Sequence, residues 1–111
     1  PDLVIVMDHM SYPFTEQATY MLLAHSNAYM DVATVNWCIG RAGFHRLLRQ
    51  VTETVGPDKN LFGSDQMSMP QMIPVGVSAI QEASFLSEED KRKILGDNAR
   101  KLLGINVAGE P

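Results

Sequence analysis

The chain has 111 residues, a mass of 12.3 kDa and a formal charge of −4 at pH 7, and these values already exclude several classes of protein. A chain of this length can build one domain core, but it falls well short of the roughly 250 residues of a complete (β/α)8 barrel. An apolar fraction of 45% argues against disorder, and the acidic balance offers no basic footprint for a nucleic acid.

The cysteine count and the hydropathy of the chain indicate the cellular compartment that we expect for it. Cys38 is the single cysteine, so an internal disulfide is excluded, the fold must rest on packing, and a reducing cytoplasm suits the chain. No apolar run approaches the length of a membrane span, which predicts a soluble protein without a membrane partner. A strand-like run begins almost immediately after Pro1, and this register suggests a segment of something longer.

The first half of the chain alternates strand patterns with helix patterns. In order, we expect a strand, a helix, a strand, a loop or short helical turn, and an amphipathic helix at 3–7, 15–25, 28–34, 35–41 and 44–55. The first strand is continuously apolar and rich in β-branched residues, which is typical of a strand covered on both faces. Thr15 is the predicted N-cap of the first helix, and Gly56-Pro57 is a strong stop for the second.

The second half begins with a short strand and then becomes helical. We expect a strand, a loop, a helix and a final helical region at 60–64, 66–74, 75–83 and 87–103. Ser87 and the acidic residues after it form a capping box, which starts the last region. We expect 96–98 to break this region, with Asn98 capping a short final helix whose Leu102 and Leu103 pack inward.

Strands that alternate with helices predict right-handed βαβ crossovers and a parallel sheet. The outermost strands of so narrow a sheet would expose unpaired backbone groups, which natural proteins cover or close. We therefore expect something else to complete the sheet.

Polar residues stand at the carboxyl ends of the first and third predicted strands, where ligands bind in parallel α/β folds. Asp8-His9 follows the first strand, and Ser64-Asp65 follows the third. An imidazole and a carboxylate on one sheet edge can share a divalent cation or the proton of a metal-bound water. The alternative is that these residues only form turns, with the carboxylates accepting nearby backbone N–H groups.

Two segments resemble the carboxyl-terminal end of the amidohydrolase-related family, which includes aminocarboxymuconate-semialdehyde decarboxylase, dihydroxybenzoate-type decarboxylases and 2-pyrone-4,6-dicarboxylate lactonase. They read NLFGSD at 60–65 and LSEEDKRKILGDNARKLLG at 86–104. Residues 5–9 similarly resemble the sixth strand of its barrel with a terminal histidine, and 27–32 resemble the seventh. The resemblance implies that residues 1–111 are the C-terminal part of one (β/α)8 barrel domain, comprising its last three βα units and terminal helices.

The same resemblance implies roles for two residues. Asp65 matches the aspartate that binds the catalytic metal and accepts a proton from its water, and His9 matches a histidine beside that water or the substrate. The implied cofactor is a divalent metal. Zinc is the preferred candidate and manganese is the alternative. Asp8, Met10 and the Gln66-Met67 pair depart from the family pattern around these positions, and no His-x-His pair occurs in the sequence.

The remaining candidate residues have structural alternatives. Trp37 follows the second strand. It either lines the mouth of a substrate pocket or has only a structural role in packing. We expect structural roles for His25 and His45, and we expect Cys38 to be a small buried hydrophobe because it has no identifiable histidine partner.

The leading hypothesis is a metal-dependent enzyme that hydrolyses or decarboxylates a small carboxylate-bearing substrate. It needs the remainder of the barrel or a homo-oligomer, and the 111-residue chain alone is expected to be inactive. The second hypothesis is a truncated, non-catalytic barrel fragment that self-associates through its open sheet edges. A flavodoxin-like binding module is the third, and it is disfavoured because no Gly-rich phosphate loop follows a predicted strand.

Overall fold

A computed structural model describes residues 2–106 and Gly109, and in them three parallel strands form one sheet. The strands are β1 (Ile5–Met7), β2 (Ala28–Asp31) and β3 (Asn60–Leu61), in the spatial order β1-β2-β3. The register pairs Met7 with Met30 and Met30 with Asn60. The predicted parallel sheet is confirmed, although each strand is shorter than its apolar run.

Helices connect and cover the strands. They are α1 (Thr15–Ala24), α2 (Val35–Cys38), α3 (Arg41–Val55), α4 (Ile73–Gln81), α5 (Glu88–Arg92) and α6 (Asn98–Leu103). Two 3-10 turns, Asp8–Ser11 and Pro70–Met72, and a π-helical turn at Lys93–Asp97 complete the description. None of the helices in the described residues is long and apolar enough to cross a membrane.

The core lies between the sheet and the helices packed on it. Phe44, Leu48 and Val51 from α3 are fully buried, as are Met30 of β2 and Ile80 of α4. Each such side chain contributes about 1.5–3 kcal/mol through burial. The apolar stripe of α3 thus packs as predicted, and Gly56 follows the helix with a φ of 81° that suits glycine.

Both faces of β1 are partly open to solvent in the described part of the chain. Ile5 and Val6 are 47% and 39% exposed, and Leu3 just before the strand is 67% exposed. The expectation that this strand is covered on both faces is therefore wrong for residues 2–106. Its apolar, β-branched sequence is the pattern of a covered strand, but no described segment covers it.

Two predicted helix caps are wrong. Phe14 holds the N-cap position of α1, while Thr15 lies inside the helix with its hydroxyl oxygen buried and without a partner among the described residues. Ser87 does cap α5, because its Oγ accepts the Asp90 N–H at 3.1 Å. Asn98 does not cap a helix, because its side chain points into the core.

The predicted break at 96–98 is also wrong, since a π-helical turn joins α5 to α6 there. Asn98 Nδ2 donates to the carbonyl oxygens of Pro57 and Asn60 at 2.8 and 2.9 Å. These bonds tie α6 to the start of β3. Leu103, which the sequence predicts to pack inward, is 69% exposed, while Leu102 is partly buried.

Candidate active site

The carboxyl ends of the three strands meet above the sheet and bring His9 and Asp65 together. The Nε2 atom of His9 lies 3.4 Å from Oδ2 of Asp65. The Thr34 hydroxyl, just beyond β2, donates to the same Oδ2 at 2.9 Å. The side chains of His9 and Asp65 are 43% and 44% exposed, so this cluster of three residues is open to solvent.

These three residues share a positive φ, which is uncommon for residues other than glycine. His9, Thr34 and Asp65 have φ values of 56°, 63° and 55°, in the left-handed region that glycine favours. A non-glycine residue there costs on the order of 1–3 kcal/mol, and such strain concentrates at functional sites. Each strand end therefore turns sharply to present its side chain at the same point.

Asp31, the last residue of β2, lies beside this cluster. Its Oδ1 accepts the backbone N–H of His9 at 2.8 Å and that of Ala33 at 3.0 Å. Burial raises the pKa of Asp31 and the neighbouring Asp8 carboxyl raises it further, whereas the two N–H bonds act in the opposite direction. The sequence did carry a signal for this residue, because Asp31 interrupts an otherwise apolar, β-favouring run.

Trp37 holds the loop that precedes Asp65. Its indole Nε1 donates to the Ser64 carbonyl oxygen at 2.7 Å, and the ring is partly buried. Next to it, Asn36 Nδ2 donates to the Gly63 carbonyl oxygen at 3.0 Å. Two side chains of helix α2 therefore hydrogen-bond the backbone of residues 63 and 64. A contact between Trp37 and a substrate stays a prediction.

The other two histidines lie apart from the cluster. His45 Nε2 is 2.8 Å from the Ala79 carbonyl oxygen, and its ring meets Phe85 edge-on at 5.6 Å. His25 is exposed at the end of α1. Cys38 is exposed at the end of α2, so the expectation of a buried thiol is wrong. The short helix points the thiol outward while Val35 and Asn36 face the core.

The donor atoms of the cluster make up only part of a metal site. A catalytic zinc takes three protein ligands, and residues 2–106 with Gly109 contain no group of three His, Cys, Asp or Glu side chains placed to hold an ion. His9 and Asp65 offer one imidazole nitrogen and one carboxylate. The described residues therefore do not fit a complete metal centre on their own.

A family model described as amidohydrolase matches residues 1–105. The chain belongs to the amidohydrolase family. Its predicted resemblance to amidohydrolase-related proteins is thereby confirmed. Among curated proteins, this amidohydrolase chain is 30% identical over 71 residues to protein fluG of Emericella nidulans, a stretch covering 64% of the chain and 8% of the relative.

Solved structures show the same fold. A 5-carboxyvanillate decarboxylase from Sphingomonas paucimobilis matches with a TM-score of 0.64 at 23% identity, over 94% of this chain and 34% of that one. A Pseudomonas putida protein assigned as a 2-pyrone-4,6-dicarboxylic acid hydrolase matches with a TM-score of 0.71 at 20% identity, over 96% and 45%.

A third match is an amidohydrolase from Burkholderia multivorans with bound zinc, with a TM-score of 0.65 at 17% identity, over 93% of this chain and 44% of that one. These neighbours are TIM-barrel amidohydrolases, and the α/β fold with three parallel strands is consistent with part of such a barrel. The chain thus spans less than half the length of each of these three structures.

Proposed function

We propose that this amidohydrolase chain forms the last three βα units and terminal helices of a (β/α)8 barrel, and that His9 and Asp65 belong to its active site. The observation that carries the proposal is the 3.4 Å approach of His9 Nε2 to Asp65 Oδ2. The two residues come from the ends of different parallel strands, which is where barrel enzymes place their catalytic groups.

The proposed enzyme is metal-dependent and acts on a small carboxylate-bearing substrate by hydrolysis or decarboxylation. Neighbouring structures include both a hydrolase and decarboxylases, and one of the amidohydrolases has bound zinc. In the proposal Asp65 is one ligand of a divalent metal, zinc first and manganese second. The other ligands come from outside the described residues. A divalent ion held there would supply Lewis-acid chemistry, which is the polarisation of a substrate oxygen or of a water.

The chain's own residues have distinct roles in this proposal. Asp65 is a carboxylate that accepts a proton at the site, with Oδ2 oriented by Thr34. His9 is placed to hydrogen-bond the substrate carboxylate or the attacking water, because its ring is 43% exposed. In the proposal Trp37 lines the mouth of the substrate pocket, while its indole Nε1 donates to the Ser64 carbonyl oxygen. The exposed thiol of Cys38 supports a cytoplasmic setting, where thiols stay reduced.

A second candidate is favoured by the partly open faces of β1. Exposed apolar residues on an edge strand promote pairing with another chain, and Leu3 and Ile5 are 67% and 47% exposed. In this case the protein self-associates through β1 and catalyses nothing. Sedimentation of the protein over a concentration series, combined with its metal content, separates this candidate from the first.

Metal content and turnover of the full protein test the proposal. The compounds supplied in the assay are those named for the neighbouring structures: 5-carboxyvanillate, 2,6-dihydroxybenzoate and 2-pyrone-4,6-dicarboxylate. Release of CO2 distinguishes decarboxylation from hydrolysis. We expect Asp65→Asn to lower metal occupancy and turnover by at least about tenfold, and His9→Gln to lower turnover more than occupancy.

Asp58→Asn is the matched control, since Asp58 is an exposed carboxylate whose partner is Lys93 rather than the cluster. It should leave occupancy and turnover within about twofold of the parent protein, as expected of a surface substitution. Retention of both metal and turnover in Asp65→Asn would sink the proposal. A monodisperse oligomer with no stoichiometric metal would favour the second candidate.

A further inference from the structure

Asp31 joins two of the three strand ends that form the cluster. The ladder between β1 and β2 has Met7 and Met30 as its last pair. Beyond that pair, the Asp31 carboxylate supplies a further link between the two segments, because its Oδ1 accepts N–H bonds from both His9 and Ala33. The first bond spans a separation of 22 residues and the second closes a turn two residues long.

The two N–H groups lie next to the side chains that meet at Asp65. His9 itself carries the imidazole, and Ala33 directly precedes Thr34, whose hydroxyl donates to Asp65 Oδ2. One carboxylate oxygen of Asp31 therefore fixes the backbone beneath both partners of Asp65.

The turn after β1 needs such an anchor. His9, Met10 and Ser11 are consecutive non-glycine residues with φ values of 56°, 53° and 53°. Left-handed conformations of this kind persist only where the surroundings over-determine them. The buried Met10 side chain holds the turn from one side, and the Asp31 bond to the His9 N–H holds it from the other.

A carboxylate at this place comes at a cost in desolvation. Burial raises the pKa of Asp31 and so disfavours its charged form, with the Asp8 carboxyl nearby adding to the effect. What the two bonds require is one oxygen with two free lone pairs, which the Asp31 Oδ1 atom supplies.

We propose that Asp31 is a positioning residue that sets the distance between His9 and Asp65 through its two backbone N–H bonds. The inference rests on the proposed function for its catalytic meaning, but the geometry it predicts can be measured without metal or substrate. It differs from an ordinary core role because the predicted effect is confined to the strand ends.

Three variants of the full protein separate the two bonds. Asp31→Asn keeps an oxygen acceptor of the same reach. Asp31→Thr keeps a hydroxyl that can close the local turn to Ala33, but this hydroxyl is one atom too short to reach the His9 N–H. Asp8→Asn removes the neighbouring charge and leaves both bonds in place, so it is the matched control.

Amide hydrogen exchange and nuclear Overhauser contacts give the readout. In Asp31→Thr we expect the His9 amide to exchange about tenfold faster, with Ala33 protected and the α3 amides of Leu48 and Val51 unchanged. The contact between the His9 ring and the Asp65 β protons should disappear. In Asp31→Asn and Asp8→Asn both amides should stay within about threefold of the parent protein and the ring contact should persist.

Equal acceleration at His9 and Leu48 in Asp31→Thr would overturn the proposal, because it would indicate a general loss of stability. Unchanged protection at His9 would overturn it too. If Asp31→Thr does not fold, Asp31→Asn still decides: loss of the ring contact while the His9 amide stays protected would contradict the proposed role, and a loss of both together would support it.

Turnover measured on the same variants keeps this inference distinguishable from the proposed function. Asp31→Thr should lose about tenfold or more in turnover, and Asp31→Asn should recover most of it. Exchange and ring contacts that behave as expected in a parent protein without metal or turnover would leave the positioning role standing and reject the proposed function alone.

Discussion

Thr34 donates its hydroxyl to Oδ2 of Asp65 at 2.9 Å, the same oxygen that the His9 ring approaches from the opposite strand end. Thr34 follows β2 and Asp65 follows β3, so this bond ties the ends of two neighbouring strands. Both contacts of the Asp65 carboxylate are therefore made through a single oxygen atom. The orientation of this carboxylate depends on the turns after the strands.

Replacing Thr34 with valine should lower the affinity for the metal that we propose at Asp65. Valine has nearly the same shape but cannot donate, so Asp65 loses the bond that orients Oδ2. We expect metal affinity of the full protein to fall about tenfold or more, as for other groups that orient ligands. Competition against a chelator measures the affinity.

Thr34→Ser is the control for this change. It restores the hydroxyl and removes the β-branch from a residue at φ 63°, so it should recover the affinity without loss of stability. Equal affinities for the valine and serine variants would show that the Thr34 hydroxyl has no part in orienting Asp65.

The sequence predicts the alternation of strands and helices because burial at fixed spacing dominates those segments. The helix at α3 is the clearest case: Phe44, Leu48 and Val51 recur at helical spacing and are fully buried, and Gly56 follows the last turn. His9 and Asp65 could be selected as candidate site residues because each closely follows an apolar run, at the edge where parallel strands end.

Features that depend on contacts distant in sequence could not be predicted in this way. Gly96 and Asn98 look like a helix break locally, but the carbonyls of Pro57 and Asn60 take the Asn98 amide and the helix continues. Thr34 gave no signal in the sequence, because its importance comes from a partner 31 residues away.

Gly76 should not tolerate alanine. Gly76 is buried in α4, and a Cβ there would lie 2.9 Å from Nδ2 of Asn36, the atom that donates to the Gly63 carbonyl. The methyl group would displace Asn36 and loosen the loop before Asp65. We expect a loss of about 1–3 kcal/mol in the free energy of unfolding, measured by urea denaturation.

Gly96→Ala is the matched control for Gly76→Ala. Gly96 also lies in a helical segment, but a Cβ there meets nothing within 4 Å. This substitution should stabilise the protein by about 0.5–1 kcal/mol, because alanine favours helix more than glycine does. A Gly76→Ala protein as stable as the parent would show that Asn36 can move aside without cost.

Asn98→Leu should destabilise the protein even though leucine favours helix. Asn98 is buried and its Nδ2 donates to both Pro57 and Asn60, so leucine would leave two carbonyl oxygens without this donor. We expect a loss of about 2–4 kcal/mol in the free energy of unfolding. Leu103→Ala, at a 69% exposed position of the same helix, should change it by less than about 0.5 kcal/mol. Similar losses for the two variants would contradict the tie between α6 and β3.

Lys93 should make the folding stability of the protein depend on pH in the alkaline range. Its Nζ lies 3.1 Å from Oδ1 of Asp58 and 3.6 Å from Oε1 of Glu89. The bond to Asp58 raises the pKa of Lys93 above its ordinary value of 10.5, and Glu89 adds a smaller effect in the same direction. A raised lysine pKa stabilises the folded state fully below the unfolded value, and this stabilisation is lost as the pH rises through the folded value.

The test compares unfolding of the parent protein with that of Asp58→Asn between about pH 9 and pH 12, the range in which a lysine titrates. The stability difference between the two proteins should shrink as the pH rises, because the lysine loses the charge that Asp58 stabilises. Glu53→Gln is the control, since the partner of Glu53 is Arg49, which keeps its charge throughout this range. If the difference for Asp58→Asn stays constant with pH while the control behaves as expected, the Lys93 ion pair does not contribute to folding stability.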